Sequence, residues 1–133
     1  MTSILNRGAA LVAILLVASG CSGDDPASEP VAGALRVVLT SPNTDDGAVM
    51  FQVIGVVDSV VAPAGLTLYQ GQPGPNAIRA IVNGNISSGS HLVTLYVADV
   101  SKASSIAAQV LQVAARTTYA QRPAGAYSLT VQK

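Results

Sequence analysis

From Ala34 onward, apolar side chains recur at every second position in short runs, and each run is cut by a cluster of Gly, Pro, Asn, Asp or Ser. A period of two puts alternate residues on opposite faces of an extended chain, so the pattern specifies strands with one face turned to a core. Leu35, Val37 and Leu39 alternate with Arg36, Val38 and Thr40 before the turn cluster Ser41 to Gly47. In the next run, Val49, Phe51 and Val53 are opposed by Met50, Gln52 and Ile54. Apolar residues on both sides mark a central strand, and the two runs read as a hairpin with a long loop. Asp58 to Val61 either continues that strand or begins another, and Pro63-Ala64-Gly65 separates it from Leu66 to Tyr69.

Gly71-Gln72-Pro73-Gly74-Pro75-Asn76 holds too much Gly and Pro for a regular element and reads as a loop. Ile78, Ala80 and Val82 then oppose Arg79 and Ile81, with turns expected at Asn83-Gly84 and at Ser87-Ser88-Gly89. His91 to Ala98 is the clearest strand. Residues 104–115 are two-valued: Ile106, Val110 and Val113 have helical spacing among helix-favouring alanines, while Val110, Gln112 and Ala114 alternate with Leu111, Val113 and Ala115. The β-rich surroundings favour a strand after a helical turn. Gln121 to Gly125 turns the chain, and Tyr127, Leu129 and Val131 close it. The expectation is an all-β domain over residues 34–133, an antiparallel β-sandwich of seven to eight strands. The order Ala80-Ile81-Val82-Asn83-Gly84, then Ser88-Gly89-Ser90 and the apolar run His91 to Val97, resembles the second half of cohesin-type sandwich domains. That resemblance implies a protein partner and carries over no binding residue.

The first twenty residues have another texture. Arg7 is followed by an apolar run from Gly8 to Ala18 and by the small pair Ser19-Gly20. A positive start, a short apolar middle and a small-residue exit make an export signal. The run falls well short of the roughly 20 residues that span a bilayer as a helix. Ala18-Ser19-Gly20-Cys21 resembles the lipobox of bacterial lipoproteins, although Ala18 stands where that family most often has Leu. The resemblance implies cleavage before Cys21, diacylglycerol on its sulfur and acylation of the new amino terminus. Two or three acyl chains hold a protein on a membrane where one gives only reversible attachment. Ser22 follows in place of the Asp that marks inner-membrane retention in the enterobacterial rule, so the outer membrane is the expected address. Residues 1–20 are thus read as a lipoprotein signal peptide and 21–33 as the lipidated cysteine and a tether containing Pro26 and Pro30.

Removal of residues 1–20 from the 133 leaves 113, with six basic and seven acidic groups. That near-balance gives no electrostatic case for nucleic acid. Cys21 is the only cysteine, so no intramolecular disulfide supports the fold. His91, the only histidine, has Asp58 and Asp99 as candidate orienters, but no serine sits in a nucleophile-elbow pattern. Asn43, Asp45 and Asp46 offer oxygens that suit Ca²⁺, and Asp24-Asp25 offer two more in the tether. A solvated turn and a charged linker account for both groups better. No Gly-rich phosphate loop is present. We therefore expect no enzyme, cofactor or metal. Among the aromatic residues, Tyr69 and Tyr96 are the candidate ligand contacts, as an exposed platform for a sugar. The leading expectation is a lipid-anchored module for protein–protein interaction or envelope structure, with carbohydrate binding as the alternative.

Overall fold

The computed structural model describes residues 28–133; the cleavage motif Ala18, Ser19 and Gly20 and the lipidation site Cys21 lie outside the described residues. Nine strands form there: β1 (Gly33–Thr40), β2 (Asp46–Ile54), β3 (Ser59–Val61), β4 (Thr67–Gly74), β5 (Ala77–Ile86), β6 (His91–Val97), β7 (Ala107–Ala115), β8 (Gln121–Arg122) and β9 (Ser128–Gln132). They make two sheets, a smaller one in the order β3-β6-β1-β9 and a larger one in the order β4-β5-β2-β7-β8. Every strand pair is antiparallel. The all-β sandwich read from the alternation is the fold.

Its core lies where the alternating apolar positions of the two sheets meet. Leu35, Val37 and Leu39 from β1 and Val93 and Leu95 from β6 are fully buried, as are Val49, Phe51 and Val82 from the larger sheet. Each such side chain contributes about 1.5–3 kcal/mol by leaving water. β2 lies between β5 and β7, as the sequence led one to expect of a central strand, but only Val49, Phe51 and Val53 face the core; Met50 and Ile54 lie on the outer face.

Several local expectations are corrected. β1 and β2 are not a hairpin: they belong to different sheets, and the Ser41–Asp45 connection crosses from one to the other. Their buried faces oppose each other across the core. β4 runs on through Gly74, past the expected loop start at Gly71. It is an edge strand whose pairing slips between Gly71 and Gly74, so Pro73 is accommodated where a missing N–H matters least. Asn83-Gly84 is no turn, because β5 continues to Ile86. Gly84 has φ of 152° there, and a Cβ on it would stand 2.5 Å from Leu66 Cδ2. The chain reverses at the other expected turn, Ser87–Ser90, where Gly89 takes φ of 84°.

The two-valued stretch resolves into a 3-10 helix, Val100–Ser105, followed by β7. Against β2, Met50 faces Gln112 and Phe51 faces Val110, so Leu111 is the extra residue of a β-bulge. The bulge puts buried Val110 and Val113 three positions apart, the spacing that mimics a helix.

A second bulge sits at Gly47, between Asp46 opposite Ala115 and Ala48 opposite Ala114. It reverses the parity of β2 at its start, and Asp46 turns inward, fully buried. The glycine is required by space, since a Cβ at position 47 would lie 2.5 Å from the Arg116 Cα.

Candidate functional site

Three neighbouring rows of outward positions on the larger sheet line the site, and a fourth, Gly74–Ala77–Ile54–Ala107, lies beyond them. The middle row is Tyr69–Ile81–Met50–Gln112, running from β4 through β5 and β2 to β7. On one side lies Thr67–Asn83–Ala48–Ala114–Gln121, and on the other Gly71–Arg79–Gln52–Gln109. The face therefore has an apolar strip edged by amides. Among the described residues, none of these rows carries a carboxylate.

This face is a shallow trough. A depression of about 380 Å³ lies against Tyr69, Arg79, Ile81 and Met50. A second, of about 320 Å³, shares Met50 and Ile81 and is closed on its far side by Tyr119 and Gln121. A third, of about 350 Å³, shares Ala48, Ala114 and Tyr119 and reaches Arg116 and Asn83. From β4 to β7 the trough crosses three strand spacings, about 14 Å. Tyr69 and Tyr119, 59% and 81% exposed, stand at its two ends.

Tyr119 follows Thr117 and Thr118 after the end of β7 and is not among the candidate contacts read from the sequence. It sits in the β7–β8 connection with φ of 57°, a left-handed conformation uncommon for a bulky residue. Its N–H donates to the Ala115 carbonyl at 3.2 Å, and the Ala115 N–H donates to the Ala120 carbonyl at 2.9 Å. These two bonds close the loop that carries Tyr119.

Tyr96 is exposed but belongs to the opposite surface. On β6 of the smaller sheet it is flanked by Ala34 of β1 and Ser59 of β3, between buried Leu95 and Val97. Tyr69 and Tyr96 thus stand on the outer faces of different sheets, with the core between them. They form no common platform.

The acidic turn is organised inward. Asp46 accepts hydrogen bonds from Ser41 Oγ at 2.5 Å, Arg122 Nη1 at 2.6 Å and Tyr127 OH at 2.9 Å. Asn43 Nδ2 donates to the Tyr127 oxygen at 2.8 Å, and Arg122 Nη2 reaches Asp45 at 2.7 Å. The Asp45 hydrogen bond to Arg122 holds that carboxyl below its ordinary value, and Asp45 and Asp46 together raise the guanidinium. The cluster binds β8 and the entry to β9 onto the start of β2, and both Asp46 carboxylate oxygens accept from protein donors. Among the described residues, no group of three or more His, Cys, Asp or Glu is placed to hold a metal ion.

His91 and Thr94 Oγ1 share a hydrogen bond at 3.0 Å through the ring Nε2. Neither candidate orienter bonds it: Asp99 accepts from the Ser101 N–H and hydroxyl, bonds that lower its pKa, and caps the 3-10 helix. Comparisons with protein-family models, curated proteins and solved structures give no match for this chain.

Proposed function

We propose that the chain is an exported lipoprotein, held on a bacterial membrane, expected to be the outer one, by acyl chains on Cys21, and that its sandwich is a non-enzymatic module binding a glycan along the outer face of the larger sheet. The observation that carries the glycan reading is the trough itself. Two exposed tyrosines bound an apolar floor of Ile81, Met50, Ala48 and Ala114, with amide side chains along both flanks. A pyranose ring has an apolar face that packs on such a surface, and its hydroxyls pair with amides, which both donate and accept. The ligand site of the expected glycan alternative is thereby moved from the pair Tyr69/Tyr96 to the pair Tyr69/Tyr119. Membrane attachment rests on the Cys21 motif. Among the described residues, no helix is long and apolar enough to cross a membrane.

One observation favours the protein-partner reading. β9 is an edge of five residues, Ser128–Gln132, without charge, proline or a register shift against β1. Natural sheets usually blunt such edges, and an open one accepts a partner's strand.

The deciding experiment is affinity electrophoresis of the full-length protein, in detergent, through gels holding soluble polysaccharides. Tyr69→Ala and Tyr119→Ala should each remove the retardation, while Tyr96→Ala keeps it. Retardation that survives both trough substitutions would sink the glycan assignment. A photocrosslinker at Thr130 that captures a protein, with none captured from Tyr119, would support the β9 edge instead.

A further inference from the structure

The trough has a charge asymmetry that its apolar floor does not explain. Both ion pairs among the described residues belong to Arg122. Arg79, exposed in the depression beside Tyr69, makes only a long hydrogen bond of 3.4 Å to Gln52 Oε1. Arg116, in the depression beside Tyr119, bonds the neutral Asn85 side chain. The Arg116 charge is felt by Asp45, but that carboxylate forms its ion pair with Arg122, at 2.7 Å. Asp58 lies against the other flank of β4, outside the trough. Each end of the face thus pairs one tyrosine with one guanidinium that forms no ion pair with a carboxylate among the described residues.

Resting on the glycan reading of this face, we infer that the ligand is an acidic glycan, a chain of uronic acids. A uronate presents an apolar ring face to a phenol and, at the ring's edge, a carboxylate that a guanidinium holds through two parallel N–H bonds. The aromatic–guanidinium unit occurs twice, at opposite ends of a trough that crosses three strand spacings, roughly 14 Å, from β4 to β7. That separation suits a repeating polymer rather than a single sugar. The rows of Gln and Asn between the two units serve the hydroxyls of the intervening rings.

Isothermal titration of the full-length protein in detergent tests this with oligogalacturonate and with its methyl ester, which keeps the chain and removes the charge. The acid should bind at least about tenfold more tightly than the ester. Added salt and Arg79→Gln should each shrink that gap. Tyr69→Ala and Tyr119→Ala should weaken acid and ester alike, whereas Arg36→Gln, on the outer face of the smaller sheet, should change neither. Oligoglucuronate and oligomannuronate extend the comparison to other ring configurations. Equal affinity for acid and ester, or binding of a neutral glucan with none of the three uronates, overturns the charge selection and leaves glycan binding standing. Dextran sulfate bound as tightly as the uronates reduces the effect to bare electrostatics and also overturns it. No binding of any chain, charged or neutral, removes both readings. A dimer in sedimentation that shields Tyr119 from nitration gives the face to a second copy and does the same.

Discussion

Asp46→Ala should be among the most damaging single substitutions in this domain, and its cost follows from what the carboxylate touches. The side chain is fully buried and accepts from Ser41, Arg122 and Tyr127 at 2.5, 2.6 and 2.9 Å. Hydrogen bonds to a charged acceptor are worth about 1.5–3 kcal/mol each, but three that share one acceptor do not add. The better guide is the cost of removing one partner from a buried ion pair, about 3–5 kcal/mol, because the survivor keeps its desolvation penalty. Arg122 retains Asp45, which argues for the lower half of that range. Folded domains are stable by only about 5–15 kcal/mol, so the loss is a large fraction of the whole. At about 4 °C or more per kcal/mol, the melting temperature should drop by roughly 12 °C or more. Asp46→Asn keeps the volume and one acceptor oxygen and should cost about 1.5–3 kcal/mol. Urea unfolding followed by circular dichroism gives both values. A change below about 1 kcal/mol for Asp46→Ala would falsify the view that this cluster locks the fold.

Cys21→Ser should abolish palmitate labelling and leave the precursor unprocessed or soluble; continued membrane attachment would end the lipoprotein reading. Gly47→Ala must push the Arg116 backbone away from a Cβ 2.5 Å from its Cα, at about 1–3 kcal/mol in the same urea assay; a neutral result would show that the bulge relaxes. Acid should weaken the fold through Asp45, whose folded pKa is held below its ordinary value of 3.8 by the Arg122 hydrogen bond. A depressed folded pKa means that the unfolded chain binds the proton first, so this stabilisation is present above the ordinary value and fades as pH falls from about 4. Asp45→Asn should therefore narrow the gap between urea midpoints at pH 7 and pH 3; an unchanged gap would remove Asp45 from the acid response.

The legibility of the sequence followed the regularity of the backbone. Where strands keep a strict period of two, as in Leu35-Val37-Leu39 and Val49-Phe51-Val53, buried faces were readable residue by residue, because alternation is itself the burial pattern. Irregular pairing defeated the reading elsewhere. The Leu111 bulge gave β7 a helical spacing, and the Gly47 bulge buried Asp46, which by composition belonged to a solvated turn. At Asn83-Gly84, the signal for a tight turn was present for a different reason, the close approach of Leu66 to the strand. The site was half legible. Tyr69 was readable as an exposed aromatic at the end of a short apolar run. Its partner was not, since choosing Tyr119 over Tyr96 requires knowing which sheet each strand joins. Alternation gives the face of a strand but not its sheet, as the expected β1–β2 hairpin also showed. Two weak signals pointed at Tyr119: its place just after the alternation ends, and a loop short enough to fix it.

The buried lock and the exposed trough are parts of one arrangement, joined through β8. This strand has only two residues: Gln121 pairs with Ala114 and lines the trough, and Arg122 pairs with Val113 and enters the acidic cluster. The loop ahead of it holds Tyr119 at a positive φ, a conformation that costs a non-glycine residue about 1–3 kcal/mol and persists only where its surroundings impose it. Two ladder pairs cannot supply that alone; the Arg122 bonds to Asp45 and Asp46 can. Arg122→Gln should therefore let β8 and its loop open locally while the core strands stay folded. In ligand titrations, Tyr119→Ala should then cost little in the Arg122→Gln background, because the phenol has already lost its place. Tyr69→Ala, presented by β4 at the other edge of the sheet, should cost the same in both backgrounds. Non-additivity confined to Tyr119 is the signature of a lock that positions one end of the site. Full additivity for both tyrosines would separate the two features and leave Arg122 with a purely structural role.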